Sequence, residues 1–277
     1  MTFTNVPIDA VRRYWDTRPC NVRHSKAPQG TREYFDQVEH RKYLVEPHIP
    51  SFANFAQWHD QDVLEIGCGI GTDTINFARA GARVTAVDLS SESIAIARQR
   101  AELFGLQDRI QFINCNAEAL TETLGARTFD LIYSFGVIHH TPHPEAVIGQ
   151  AHLLSKPGTT LKVMVYHRRS VKVFATVVLE GHGDFRRSAE IIAKNSEAQT
   201  GCPVTYTYTR QQGRRLLEQG GFRVENCAIA HIFPYRVAEY VEHRYVYKRW
   251  VDALPPYLFR KLERVFGWHL LLTATVD

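Results

Sequence analysis

The stretch VLEIGCGIGTDT, residues 63–74, decides how this sequence folds. A short apolar run contains an acid, Glu65, and glycines then occupy every second position, at Gly67, Gly69 and Gly71. Glycine has no Cβ, so its backbone can adopt positive φ angles and can lie close to another molecule. The pattern is typical of a tight turn between a buried strand and a helix, placed where a ligand approaches the backbone.

Around this turn, short apolar runs alternate with longer amphipathic runs from residue 62 to residue 166. Alternating strands and helices are the sequence form of a parallel sheet that is covered on both faces. Two later runs, FRVENCAIA and WHLLLTATV, add strands near the end of the chain. We therefore predict an α/β fold, a Rossmann-like, mostly parallel, seven-stranded sheet with helices on both faces. Ser90 or Ser91 should cap the second helix and Gly105 should end it.

The remaining segments predict the domain organisation. Residues 1–60 are rich in aromatic and basic residues at helical spacing, which indicates an N-terminal helical arm or lid. Residues 61–277 then form the main domain, and the strand pattern lapses near residues 168–205 and 233–266. We interpret both segments as helical cap insertions beside one edge of the sheet.

Composition excludes several classes of protein. The five cysteines are scattered and form no C-x-x-C pair, which argues against a disulfide framework or a structural zinc site and favours a cytoplasmic location. No run has the length of a signal peptide or a membrane span. The net charge of +4, from 33 basic and 29 acidic residues, is too balanced to indicate a nucleic-acid partner. A homodimer is left open.

The spacing of the glycines predicts the ligand. A nicotinamide-binding turn reads G-x-G-x-x-G, but Thr72 stands where its third glycine would be, so the spacing G-x-G-x-G favours another ligand that contains adenosine. Asp88 ends the next strand roughly 20 residues after Gly67, where an acid can accept hydrogen bonds from ribose hydroxyls. The alternative, a purely structural loop, does not explain glycines and acid in this order.

With these residues the chain resembles the class I S-adenosylmethionine-dependent methyltransferases, in particular the group that acts on small molecules. The resemblance covers residues 62–166 and includes the motif E/D-x-G-x-G-x-G and the acid at the end of the second strand. It implies S-adenosylmethionine as the cofactor, with Asp88 on its ribose and residues 116–118 beside its adenine. The cofactor-binding residues predicted in this way are Glu65, Gly67, Cys68, Gly69, Gly71, Thr72, Asp88, Leu89, Asn116, Ala117, Glu118, Ser134 and Phe135.

His139 and His140 are candidate catalytic residues, because they follow the fourth strand at the carboxyl edge of the sheet. A histidine can remove a proton from a hydroxyl or ammonium acceptor. The segment HHTPH also suggests metal ligands, but its prolines break the helical spacing that pairs of metal ligands often use, so we expect no metal. Local packing is the alternative role for both histidines.

Aromatic and basic residues of the arm and of two later segments are candidates for the acceptor pocket, since rings can flank a sulfonium and arginines can hold an anionic group. Ordinary surface and packing roles are the alternative. The candidates are Tyr14, Trp15, Arg23, His24, Tyr166 and Tyr206.

The predicted function is methyl transfer from S-adenosylmethionine to a small-molecule acceptor, with O, N, S and C acceptors all open. Three other functions stay open from the sequence. They are methylation of RNA or protein, cofactor binding without catalysis, and nicotinamide-dependent oxidoreduction.

Overall fold

A computed structural model of the chain describes residues 3–199 and 201–277, and residues 1, 2 and 200 of the predicted arm and first insertion lie outside it. Within these residues, seven strands form one sheet. The strands are β1 Asp62–Ile66, β2 Arg83–Asp88, β3 Ile110–Asn114, β4 Phe129–Phe135, β5 Ser155–Tyr166, β6 Arg223–Ala230 and β7 His269–Thr275.

The strand order is β3-β2-β1-β4-β5-β7-β6. Neighbouring strands from β3 to β5 are parallel, and β7 runs antiparallel to both β5 and β6. The chain moves outwards from β1 to β3 and then returns to β4 on the other side of β1, so the order reverses at β1. Ligands of open α/β sheets bind at such a switch point. The predicted mostly parallel, seven-stranded sheet is confirmed.

Helices cover the sheet. They are α1 Ile8–Thr17, α2 Arg32–Val45, α3 Ile49–Ala53, α4 Thr72–Arg79, α5 Ser91–Phe104, α6 Leu120–Leu124, α7 Pro144–Leu153, α8 Val171–Glu180, α9 Ser188–Gln199, α10 Arg210–Gln219, α11 Val237–Val241, α12 Arg249–Asp252 and α13 Pro256–Phe266. Short 3-10 helices occur at Val22–His24, Phe55–Trp58, Gln107–Arg109, Ala117–Ala119, Ile138–His140 and Phe185–Arg187.

Both faces of the sheet are buried, as the apolar runs require. Along β1, Val63 belongs to a buried cluster with α4 and α5, whereas Leu64 belongs to the cluster on the opposite face with α7 and α10. Successive side chains of a strand point to opposite faces, which explains this alternation. The predicted ends of α5 are confirmed, since Ser90 Oγ accepts a hydrogen bond from the Ser93 amide and Gly105 has a φ of 68°.

The N-terminal segment lies over the first crossover. Tyr34, Phe35 and Val38 of α2 form a buried cluster with Ile70 of the glycine turn. Helices α8 and α9 follow β5, and α11, α12 and α13 lie between β6 and β7. Of the helices in residues 3–199 and 201–277, none is long and apolar enough to cross a lipid bilayer.

Arg100 of α5 joins this segment to the sheet. Its side chain is fully buried, and Nη1 donates to Thr72 Oγ1 at 2.7 Å. Its Nη2 donates to Glu39 Oε2 at 2.9 Å and to the Phe35 carbonyl at 3.3 Å. A buried charge of this kind is costly without its partners, so these contacts constrain where α2 packs.

We predict that Arg100→Met lowers the free energy of unfolding by about 2–4 kcal/mol, because the Glu39 carboxylate and the Phe35 carbonyl lose a buried donor. Urea titration followed by circular dichroism measures the change. The matched control is Arg79→Met, since Arg79 binds Oε1 of the same Glu39 at 2.9 Å with a side chain that is 43% exposed. The control should lose less than about 1 kcal/mol. Equal losses in the two variants would contradict the role given to Arg100.

Candidate active site

A cavity of about 280 Å³ lies at the carboxyl edge of the sheet, at the switch point. The turns that follow β1, β2, β3 and β4 supply one part of its lining, and the N-terminal helices α1 and α2 supply another. The ends of β5 and β7 complete the described lining with Met164, Tyr166 and His269.

Each of the three glycines in the first turn occupies its position for a different structural reason. Gly67 has a φ of 78°, and a Cβ there would lie 2.2 Å from Val137 Cγ2, so the turn can pass this side chain only as glycine. Gly71 has a φ of 75°, and its Cβ would meet Ala97 of α5 at 3.1 Å. Gly69 has a φ of 53°, and a Cβ there would meet none of the described atoms within 4 Å. Gly69 is therefore the glycine that faces open space in the cavity.

Asp88 holds this turn in place. Its Oδ2 accepts a hydrogen bond from the Gly69 amide at 2.7 Å, and its Oδ1 accepts one from the Ser90 amide at 2.8 Å. Burial raises the pKa of Asp88 to about 6, although both amides favour the ionised form. A carboxylate has about four acceptor positions, so Asp88 can bind two further donors from the cavity.

Glu65, the acid of the motif, lies outside the described cavity lining. It is buried on β1, and its Oε2 accepts a hydrogen bond from Thr74 Oγ1 of α4. Burial, together with the nearby Asp73, raises its pKa to about 8. Glu65 thus joins the strand to the helix on either side of the turn.

The other predicted cofactor residues divide in the same way. Cys68, Thr72, Leu89, Asn116, Ala117 and Phe135 line the cavity together with Gly67, Gly69 and Asp88. Gly71, Glu118 and Ser134 are outside the described lining. Glu118 Oε1 accepts a hydrogen bond from the His143 amide at 2.9 Å, and Ser134 Oγ donates to the Ile66 carbonyl at 3.1 Å. These two side chains therefore join neighbouring parts of the chain.

The two adjacent histidines have different surroundings. His140 lines the cavity, and its Nδ1 lies 2.7 Å from the Val204 carbonyl. A carbonyl only accepts, so Nδ1 carries the hydrogen and Nε2 carries the lone pair. His139 is fully buried outside the described lining, with its ring 3.8 Å from that of Tyr166. Burial holds its pKa well below the usual range, and His140 and Lys172 lower it further.

Of the residues predicted for the acceptor pocket, Trp15 and Tyr166 line the cavity. The other four fall outside its described lining. Tyr14 packs edge-on against Trp15, and Arg23 is exposed. His24 Nε2 lies 3.4 Å from Tyr240 Oη, and Tyr206 Oη accepts a hydrogen bond from the Phe3 amide at 2.9 Å.

Sequence reasoning missed Lys42 of α2, which also lines the cavity. Its Nζ lies 2.8 Å from Asp73 Oδ1, and Asp73 also accepts hydrogen bonds of 3.0 Å from Tyr43 and Tyr133. Burial alone would lower the pKa of Lys42, but the Asp73 carboxylate raises it above the usual value. Lys42 therefore keeps its ammonium group at the cavity wall, paired with the Asp73 carboxylate.

Glu46 and His269 were also missed. Both line the cavity, and His269 is packed against two further histidines, His48 and His231. Burial lowers the pKa of His231 to about 3 and that of His48 to about 4, and it holds the pKa of His269 well below the usual range. The three rings are therefore neutral at physiological pH. Their positions in the sequence, far apart, gave no cluster signal.

Comparison with known proteins supports the reading of the glycine turn. A family model described as a methyltransferase domain matches residues 63–158, from β1 into β5. An uncharacterized protein of Synechococcus sp. is 28% identical over 202 residues, which are 69% of this chain and 46% of that one. The ubiquinone biosynthesis O-methyltransferase of Nitrosococcus oceani is 27% identical over 238 residues, which are 80% of this chain and 92% of that one. The chain thus spans about half of the first relative and most of the second.

A solved structure shares the whole fold. The magnesium protoporphyrin IX methyltransferase of Synechocystis PCC 6803 was crystallised with bound S-adenosylhomocysteine (SAH). It superposes on this chain with a TM-score of 0.62 at 16% sequence identity. The match covers 98% of this chain and 100% of that one. At this identity the likeness is one of fold. The match over residues 63–158 and the sheet topology agree: this part of the chain is a methyltransferase domain, and the chain has the class I methyltransferase fold.

Proposed function

We propose that this protein transfers a methyl group from S-adenosylmethionine to a small-molecule acceptor by in-line displacement and releases S-adenosylhomocysteine. One observation carries the proposal. A single cavity joins the open glycine turn and Asp88 to a second group of side chains, His140, Tyr166 and Lys42, that suits an acceptor.

The residues of the first half fit the cofactor. The space over Gly69 is open among the described atoms, which a nucleoside lying on the turn needs. Asp88 retains acceptor positions on both oxygens for the two ribose hydroxyls. Asn116 and Ala117 line the cavity after β3, where the family places adenine.

The second half suits a small acceptor. When bound, S-adenosylmethionine supplies an activated methyl group on a positively charged sulfur. The chain then has to align the acceptor behind that methyl group and exclude water. Trp15 of α1 and Tyr166 of β5 line this part of the cavity, so the N-terminal helices help to enclose it. Enclosure favours a metabolite over RNA or a protein loop, and the name of the Nitrosococcus relative agrees with that preference.

His140 is the base that we assign to an acceptor that must lose a proton. Its Nδ1 is held by the Val204 carbonyl, and this bond fixes the tautomer with the lone pair on Nε2. His139, predicted beside it as an alternative base, packs against Tyr166 outside the described lining. The proposal therefore assigns the base to His140 and not to His139.

A cytoplasmic location is part of the proposal. All five cysteines are free thiols, which agrees with a reducing, cytoplasmic compartment. That the protein has no nucleic-acid partner stays a prediction. Whether it forms a homodimer stays open.

We predict that Asp88→Asn weakens cofactor binding by about 10-fold to 100-fold, because hydrogen bonds to a charged acceptor contribute about 1.5–3 kcal/mol. Calorimetric titration with S-adenosylhomocysteine at pH 8 measures the loss. The wild type should also depend on pH. Only the carboxylate accepts both hydroxyls, so affinity is full above the Asp88 pKa of about 6 and falls as the pH drops through it. The variant should show no such fall, and equal pH profiles would exclude Asp88 from the ribose role.

Methyl transfer itself is tested with methyl-labelled S-adenosylmethionine and a cell extract from which macromolecules have been removed. We expect label in a low-molecular-weight product and an equal amount of S-adenosylhomocysteine. Label that enters only RNA or protein in an unfractionated extract would support the alternative acceptors. Tight cofactor binding with no S-adenosylhomocysteine from any fraction would support a binding protein without catalysis.

We predict that His140→Asn lowers the rate of methyl transfer by about 100-fold or more while cofactor affinity stays within about threefold. The Asn amide can keep the hydrogen bond to the Val204 carbonyl but cannot act as a base. His139→Phe, which preserves the ring packing on Tyr166, is the matched control and should change the rate by less than about tenfold. A full rate for His140→Asn between pH 6 and 9 would exclude His140 as the base.

A further inference from the structure

Glu46, His231 and His269 form a compact group of potential metal ligands beside the cavity. One ligand atom from each residue lies within 4.8 Å of the others. Glu46 Oε1 and His269 Nε2 are 3.5 Å apart. Two ligands of a tetrahedral metal ion, each about 2.1 Å from it, are separated by roughly 3.4 Å, so this pair already has the required spacing.

The fold brings the two histidines together. His231 follows the last residue of β6, and His269 is the first residue of β7, directly opposite Ala230 in the antiparallel pair. The Trp268 amide donates to the His231 carbonyl at 2.7 Å and extends the pairing by one step. Glu46 approaches from the C-terminal end of α2. All three side chains are therefore held by ordered backbone.

His48 supplies the support that metal-binding histidines usually have. Its Nε2 lies 2.9 Å from His269 Nδ1. This hydrogen bond occupies the second ring nitrogen of His269 and turns Nε2 towards Glu46. A metal-ligating histidine almost always uses its other nitrogen in this way, and the outer partner fixes the orientation of the ring.

We propose that Glu46, His231 and His269 bind a divalent transition metal ion, with His48 as their positioning residue. Two imidazoles and one carboxylate suit ions such as zinc, cobalt or iron. Three protein ligands leave coordination positions for another molecule, as in catalytic metal sites. Because Glu46 and His269 also line the cavity, those positions face the acceptor. The sequence itself had predicted no metal.

The metal site specifies the acceptor class, and this step rests on the proposed function. A metal ion acts as a Lewis acid towards oxygen, so the acceptor is a molecule whose reacting hydroxyl binds the ion. The hydroxyl proton passes to His140 Nε2. The oxygen then forms its bond to the methyl carbon while the carbon–sulfur bond breaks and its electron pair stays on sulfur. The products are a methyl ether, S-adenosylhomocysteine and a protonated base.

The test uses the full chain without a histidine tag, freed of metal by a chelator and titrated with Co²⁺ while the visible absorption is recorded. We expect one equivalent of Co²⁺ to bind with the d–d bands of a site that contains imidazole, and Zn²⁺ to displace it. His231→Asn and Glu46→Gln should each weaken Co²⁺ binding at least tenfold. His231 has a φ of 70°, a conformation that Asn tolerates, so this variant keeps the backbone. His48→Phe should weaken binding by about 10-fold to 100-fold.

His40→Gln, an exposed histidine of α2, is the control and should bind Co²⁺ as the wild type does. Thermal unfolding of each variant shows whether it is folded. Failure of the folded wild type to bind Co²⁺, or equal affinity in wild type, His231→Asn and Glu46→Gln, would overturn the metal site. S-adenosylhomocysteine binding to the metal-free protein separates this result from the proposed function. If the cofactor binds and Co²⁺ does not, only the metal inference fails, and if neither binds, both fail.

Discussion

The hydrogen bond from the Gly69 amide to the Asp88 carboxylate connects the turn after β1 to the end of β2, at the point where the sheet order reverses. It needs a backbone with positive φ at Gly69 and an acid on the neighbouring strand. The same carboxylate also binds the amide of Ser90, which caps α5. One side chain thus fixes two turns and faces the cavity. A change in either turn therefore alters the site directly.

Two cationic side chains around this hydrogen bond, Lys42 and Arg100, are largely buried, and each pairs with a carboxylate. Lys42 stays positive at the cavity wall because Asp73 holds it, and Asp73 is held in turn by two tyrosine hydroxyls. Arg100 is likewise a buried cation that pairs with a carboxylate, on the other side of the turn. From α5 it donates hydrogen bonds to Glu39 and Phe35 of α2 and to Thr72 of α4. The N-terminal helices are thereby part of the site. They contribute Trp15, Lys42 and Glu46 to a cavity whose other wall belongs to the sheet.

The sequence predicted the features that depend on local backbone chemistry. Positive φ at the three glycines, the Ser90 cap and the Gly105 stop are set by neighbouring residues, and strand periodicity set the sheet. The sequence did not distinguish well between the residues that line the cavity and the residues that support them. Ser134 lies one residue before Phe135, which lines the cavity, and a strand points successive side chains to opposite faces. The Glu65 side chain instead bonds to Thr74 of α4.

Residues from distant segments were harder to predict. Which face of α2 meets the cavity depends on Arg100 and on packing against Ile70, so helical spacing alone did not select Lys42 or Glu46. His231 and His269 meet because β6 and β7 pair antiparallel with Ala230 opposite His269, and local sequence does not show such a pairing between distant strands. The surroundings of His139 and His140 differ because Val204, which is distant in sequence, places its carbonyl against His140 and no local pattern reveals this contact.

The central claim is that a nucleoside lies on the glycine turn with its ribose held by Asp88. A crystal structure of the protein with S-adenosylhomocysteine tests it most directly. The account predicts both ribose hydroxyls within hydrogen-bonding distance of the Asp88 carboxylate and the amino acid part of the ligand over Gly69. A ligand bound elsewhere, or a ribose whose hydroxyls contact other groups while Asp88 binds only the two amides, would contradict it.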